Sequence, residues 1–387
     1  MLRPLPNASI QGVPFIDLKR SLAGRTDSIL TRWRSILDGT EFVSGPTVAR
    51  LELALTSRSG CSGTVACANG TDALILALQA SGIRPGMKVA LPNLTFWATY
   101  EAVVQVGAVP ILIDMDSEDL QMDLDELKLA HERFGLDGAI TAHLFGWASP
   151  RLPDLRTYCL ERDIRLIEDG AQAFGVTMKG KPILADSRLS TLSFYPAKVF
   201  GGAMDGGAVL GNDLEALKAS RVLANHGRSD HYAYSSVGWN SRMSGLQAAF
   251  LLEMLDDVDN AIRSRNDAVR AYAGHAESAI NGGLTRMWLP PEGISGNGYL
   301  SVFTVDPKLL GPVQESLKLS GVGYGRTYPS TIVDQPCVPA GTLRVSDLSR
   351  SRGFASSVIN LPLFAYITAE EVEYAANAFL RALEGAS

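Results

Sequence analysis

The chain has 387 residues, 46% of them hydrophobic, with 35 basic against 41 acidic side chains. It can bury a large core, so one large domain plus a smaller one is expected, and its mildly acidic balance offers no footprint for a phosphodiester backbone, which sets nucleic acid aside as a partner. Cys61, Cys67, Cys159 and Cys337 show no CxxC spacing, the five histidines are not paired at metal-ligand spacing, and no apolar stretch is long enough for a bilayer, so neither a disulfide framework, a metal site nor a membrane anchor is expected.

The N-terminal "MLRPLPNASIQGVPFIDL" lacks the charged start and continuous apolar segment of a signal peptide, which points to the cytoplasm. From Cys61 to about Gly227, β-rich runs alternate with helical patterns. "TVACAN" precedes "GTDALILALQASGI" and the turn "RPGM". "KVALP" precedes "TFWATYEAVVQVG", "VPILIDMD" precedes "DLDELKLAHERFG", "GAITAHLF" precedes "DLRTYCLERD", and "IRLIED" follows. That alternation predicts an α/β fold, a mostly parallel central sheet with helices on both faces. Residues 241–279 have a helical pattern and bridge to a smaller C-terminal α+β domain, with a strand "YLSVFTVD", a helix "PKLLGPVQESLKLSG" and a last helix opened by the capping box Thr368 to Glu371. The expected division is 1–250 for the large domain, with an N-terminal arm, and 251–387 for the small one.

Ligands of such sheets bind at the carboxyl ends of strands, and four features fall there. Gly70 and Thr71 open a helix straight after a strand, so free N–H groups and the positive end of a helix dipole make an anion seat; an ordinary turn capped by Thr71 or Asp72 explains the same residues. Phe96 and Trp97 begin the next helix and offer an aromatic face, or simply core. Asp169 ends an apolar strand with Gln172 three residues on, and alternation sends Glu168 and Asp169 to opposite faces; a turn aspartate is the plainer alternative. Lys198 follows the strand "TLSFYP" and precedes glycines, a crowded setting that favours a neutral, nucleophilic amine over a solvated surface cation. An anion seat, an aromatic platform, a carboxylate and an activated lysine are together what pyridoxal 5'-phosphate demands.

In order along the chain, "PFIDLKR", "FVSGPTVARLE", "NGTDALILAL", "LPNLTFWATYEAV", "VPILIDMD", "HLFG", "IEDGAQAFG", "SFYPAKVFGGAMDGGAVLGND", "VGWNSRMSGLQAAFL" and "LPLF" resemble the DegT/DnrJ/EryC1/StrS sugar aminotransferases, within the fold type I pyridoxal phosphate enzymes. The resemblance implies that Lys198 is the Schiff-base lysine, Asp169 the partner of the pyridine nitrogen, and Gln172 the neighbour of the ring hydroxyl. It implies Phe96 as the stacking aromatic and Gly70, Thr71 and Ser193 as phosphate ligands. Asn240 matches an asparagine that reaches the phosphate of the neighbouring subunit, which implies a homodimer with shared active sites.

Three departures stand out: "VFGGAMDGGA" after the lysine, Gly170 where alanine is commoner, and "GRTYPSTIVDQP" without a histidine that many relatives carry, a segment left without a catalytic role. The reaction implied moves an amino group from an amino acid, glutamate by resemblance, to a keto sugar, most simply a nucleotide-linked one. The rivals are a dehydratase of the same fold, against which Lys198 speaks because those relatives carry histidine there, and a non-catalytic cofactor-binding regulator. A nicotinamide-dependent oxidoreductase fails for want of GxGxxG after the first strand.

Overall fold

The computed structural model describes residues 10–386; the first nine residues of the stretch 1–18, which carries no signal-peptide pattern, lie outside the described residues. The large sheet takes seven strands from the chain up to Gly211: β1 (Gly63–Cys67), β2 (Lys88–Pro92), β3 (Val109–Ile113), β4 (Gly138–Ala142), β5 (Arg165–Asp169), β6 (Leu189–Ser193) and β7 (Gly207–Gly211). The second half adds β8 (Arg286–Trp288), β9 (Ser301–Thr304), β10 (Leu343–Arg344) and β11 (Val358–Leu361). The large sheet has eight strands in the order β1, β7, β6, β5, β4, β2, β3, β10. All neighbours pair parallel except those of β7, which runs antiparallel to both β1 and β6.

Period-two alternation in these short apolar strands feeds a core on each face. Ile111 and Ile113 of β3 join Leu51 and Leu55 of the helix Pro46–Ser59 in one cluster, while Leu112 joins Leu74 and Leu76 of the helix Gly70–Ala80 in the other. The mostly parallel sheet with helices on both faces is therefore as expected. Strand β7 carries no marking in the sequence analysis because "GAVLG" sits in a glycine-rich run. Its first residue shows why glycine is there: a Cβ on Gly207 would lie 2.2 Å from the Asn69 carbonyl oxygen.

In the C-terminal half β8, β9 and β11 form an antiparallel sheet against the helices Val258–Asn281, Pro307–Leu319 and Ala369–Ala386, around Tyr272, Phe303 and Phe379. The capping box is reciprocal: Thr368 N donates to Glu371 Oε2 and Glu371 N to Thr368 Oγ1. The stretch 241–279 is not one helix but two, Gly245–Leu255 and Val258–Asn281, parted at Asp256 and Asp257. At the break the Asp257 carboxylate meets Tyr366 Oη, Asn260 Nδ2 and, at 3.0 Å, Arg25. Strand β10 extends the large sheet beside β3, and Val13 bridges to Val322, so both ends of the chain cross between the two halves.

Candidate active site

A cavity of about 790 Å³ opens where β1, β4, β5 and β6 end. Gly70, Thr71, Phe96, Asp169, Gln172, Ser193 and Lys198 all line it. Asn240 does not; it is exposed, with its Oδ1 accepting from Arg242 Nη2.

Residue by residue, the local fold explains each position. The cap of the helix Gly70–Ala80 is Asn69 rather than Thr71 or Asp72: its Oδ1 accepts from Asp72 N at 2.8 Å. The first-turn N–H groups of a helix have no intrahelical carbonyl, so Gly70 and Thr71 keep theirs for a ligand. Ser193 stands against this turn so closely that a Cβ on Gly70 would lie 2.8 Å from Ser193 Cβ. Together they form a small cradle of N–H and hydroxyl donors suited to a phosphate.

Asp169 ends β5 and is buried. Its Oδ2 accepts from Thr99 Oγ1 at 3.1 Å and its Oδ1 from Ala171 N at 3.1 Å. Among the described residues no lysine, arginine or histidine comes within ion-pair distance of it. A buried carboxylate without a cation is costly, and a protonated ring nitrogen in the cavity would supply one. Glu168 goes to the other face, as alternation requires: Arg156 grips it through Nε and Nη2, both at 2.8 Å, and His143 Nε2 lies 3.0 Å away. Burial opposes the Glu168 charge, but these hydrogen bonds win and hold its pKa below the usual carboxylate value.

Phe96 precedes the helix Trp97–Gln105 with its ring half exposed over the cavity, whereas Trp97 turns away and packs on Tyr100 at 5.0 Å. The same helix brings Thr99 to Asp169, so one element sets both the platform and the carboxylate. Lys198 lies in the turn after β6, its N–H bonded to the Tyr195 carbonyl and its Nζ 3.5 Å from Tyr299 Oη. Among the described residues no carboxylate comes within ion-pair distance of Nζ, which leaves the amine available to a ligand.

The departures have structural reasons. A Cβ on Gly170 would lie 2.9 Å from the Thr191 carbonyl, so glycine fits a close approach of β5 to β6. The loop after the lysine is clasped by the buried Gln247, whose Oε1 accepts from Ala203 N and Met204 N while its Nε2 donates to the Met204 carbonyl.

Sequence comparison decides the relationship. The pattern of the DegT/DnrJ/EryC1/StrS aminotransferase family matches residues 25–380. The chain belongs to that family. It is 31% identical to the UDP-N-acetyl-3-dehydro-alpha-D-glucosamine 3-aminotransferase of Acidithiobacillus ferrooxidans, over 96% of this chain and 98% of that one. It is 32% identical to the UDP-2-acetamido-2-deoxy-3-oxo-D-glucuronate aminotransferase of Pseudomonas aeruginosa, over 93% and 98%. Among solved structures, a Bacillus subtilis protein with bound cofactor PMP superposes with a TM-score of 0.90 at 25% identity, covering 98% of this chain and 86% of its own. A DegT/DnrJ/EryC1/StrS aminotransferase from Brucella abortus gives 0.88 at 26%, covering 95% and 98%.

This family member also lines its cavity with residues that the sequence analysis did not single out. Tyr299, Thr327 and Tyr328 come from the C-terminal half, and Glu101 and Asp205 from the large sheet's side. Tyr328 belongs to "GRTYPSTIVDQP", a segment to which the sequence alone assigns no catalytic role. Burial, then the neighbouring Tyr299 and the Asp169 carboxylate, push its phenol well above the usual pKa. A tyrosine 130 residues beyond Lys198, in a loop without periodicity, leaves no mark in local sequence. Thr99 carried a weak signal, lying three residues after Phe96, one helical turn along.

Proposed function

We propose that the chain is a pyridoxal 5'-phosphate-dependent aminotransferase that moves an amino group from an amino acid, glutamate, to a nucleotide-linked keto sugar in amino-sugar biosynthesis. The observation that carries this reading is the pairing, across one cavity, of a lysine free of carboxylates with a buried carboxylate free of cations. The names of the two UDP-sugar aminotransferases from Acidithiobacillus ferrooxidans and Pseudomonas aeruginosa support a keto-sugar acceptor linked to a nucleotide.

The residues present fit the cofactor. Lys198 Nζ would hold the aldehyde carbon, Asp169 the ring nitrogen, Phe96 one face of the ring, and Gln172 its hydroxyl. Gly70, Thr71 and Ser193 would hold the phosphate, with Asn240 reaching it from a second copy. When bound, the cofactor supplies an electron sink for the charge left behind as a C–H bond next to nitrogen breaks. Asp169 keeps that sink charged: at about 4 Å and an effective dielectric near 20, a carboxylate facing a ring cation is worth about 4 kcal/mol before desolvation. Lys198 Nζ, once free, takes the proton from the α-carbon of the amino donor. In the second half of the cycle it returns a proton to the former carbonyl carbon of the sugar. Tyr299 Oη, next to Nζ, keeps the amine over the cavity between these two transfers.

The test is to load the purified protein with pyridoxal 5'-phosphate and glutamate and to offer a panel of keto-sugar nucleotides. Amine incorporation into a 3-keto sugar nucleotide is the expected result. Cofactor binding with no amine transferred to any member of the panel would contradict the acceptor and favour a non-catalytic binding role.

A further inference from the structure

Gln172 can be oriented without ambiguity. The Phe145 N–H can only donate, and it lies 2.6 Å from Gln172 Oε1, so the carbonyl end of the amide is committed. The Nε2 end therefore carries both protons, and one of them goes to Tyr328 Oη at 2.7 Å. A second Nε2–H remains. The Tyr328 oxygen, having accepted, keeps its own proton to donate elsewhere.

Both partners are anchored as though this arrangement mattered. Phe145 holds φ 63°, a left-handed conformation that non-glycine residues rarely adopt, and in doing so aims its N–H at Gln172. The fully buried Asn297 donates to the carbonyls of Gln172 and Phe174 and accepts from Tyr299 N, fixing the backbone on either side of the cavity. Tyr328 is held from the other half of the chain. Arg326 donates to the carbonyls of Ala355 and Val358, Thr327 N donates to the buried Asn360 Oδ1, and the Tyr328 ring lies 6.2 Å from that of Phe96.

We propose that Tyr328 contacts the reacting ligands of the transamination site, its hydroxyl donating to a carbonyl, carboxylate or phenolate oxygen. This rests on the reading under Proposed function. A half-buried phenol whose pKa is pushed above its ordinary value stays protonated throughout the neutral range, so it can donate while the enzyme works. Two sources can supply the oxygen: the ring hydroxyl of the cofactor, or the carbonyl or carboxylate of the incoming substrate.

Tyr328→Phe removes one hydroxyl and keeps the ring. Two quantities are read against the parent protein: the dissociation constant of pyridoxal 5'-phosphate, and the KM and kcat for a UDP-linked 3-keto sugar. Losing a hydrogen bond to a charged or strongly polar oxygen weakens binding by about tenfold to a hundredfold. A weakening of that size in cofactor binding, with an altered absorption band, assigns the oxygen to the cofactor. The same rise in KM, with kcat less affected and cofactor binding within about twofold, assigns it to the substrate. Both quantities unchanged, in a parent that binds cofactor and transfers amine, overturn this inference and leave the family reading intact; a parent that binds no cofactor overturns both. Melting temperature reports whether the variant folds. If it does not, the parent protein is crystallised with pyridoxal 5'-phosphate and with a UDP-linked sugar, and a Tyr328 Oη more than about 3.5 Å from every oxygen of both ligands overturns the inference.

Discussion

Lys198 and Asp169, which among the described residues have no oppositely charged partner, give the site its chemistry, and their neighbours explain how they are held without one. Thr99 and Ala171 N satisfy the aspartate's hydrogen-bonding capacity without neutralising it. Tyr299 meets the lysine with a hydroxyl and a ring face, not a carboxylate. Asp169→Asn keeps the shape and removes the charge; amine transfer should fall about a hundredfold or more while cofactor still binds, measured as kcat with saturating glutamate. A value within a few-fold of the parent would mean that the ring nitrogen needs no carboxylate here. Gly202 makes a different kind of demand, since a Cβ there would lie 1.9 Å from Gln247 Nε2, an atom already committed to the Met204 carbonyl. Gly202→Ala should cost about 1–3 kcal/mol of stability, read as a lowered urea midpoint, because the loop behind the lysine must shift to admit a methyl group.

Strand β5 is the element on which the site hangs, and alternation along it separates two tasks. Asp169 serves the cavity, and Glu168, one residue earlier, ties β5 to the helix Leu152–Glu161 through Arg156. Since the folded-state pKa of Glu168 is depressed, the stability it contributes is fully present above the ordinary carboxylate range near 4.3 and is lost as pH falls through the lower, folded value. Glu168→Gln should therefore melt at a lower temperature at pH 7, yet lose less on acidification to pH 3 than the parent, as scanning calorimetry across that range would show. Parallel melting curves with pH would remove Glu168 from the account. The strand ends, the helix starts and the residues at them were legible in sequence because period-two and period-3.6 patterns are local. Strand β7 was not, because glycines required by close backbone contact at Gly207 erase the apolar signal. The cap at Asn69 went unread in favour of Thr71 or Asp72 because all three residue types can cap and only the backbone decides among them. Tyr328 reaches the cavity by tertiary packing alone, through anchors at Ala355, Val358 and Asn360, which no local pattern reveals.

At the scale of the molecule the cavity has an imbalance of charge. Asp72, Glu101, Asp169 and Asp205 line it against the single lysine Lys198, yet the proposed ligands carry phosphates and carboxylates. The exposed segment around Asn240, with Tyr232, Tyr234 and Val237 also exposed, suits the proposal that a second copy completes the site. Mixing Lys198→Ala with Asn240→Ala chains should restore activity above the sum of the two alone, approaching about a quarter of the parent's, since half the dimers formed at random hold one intact site. Activity equal to that simple sum would mean that each chain works alone. The proposed chemistry rests on one amine, and reduction tests it directly. Holoprotein treated with borohydride and digested should yield the cofactor fixed to the peptide that contains Lys198; label on any other peptide, or on none, would contradict it.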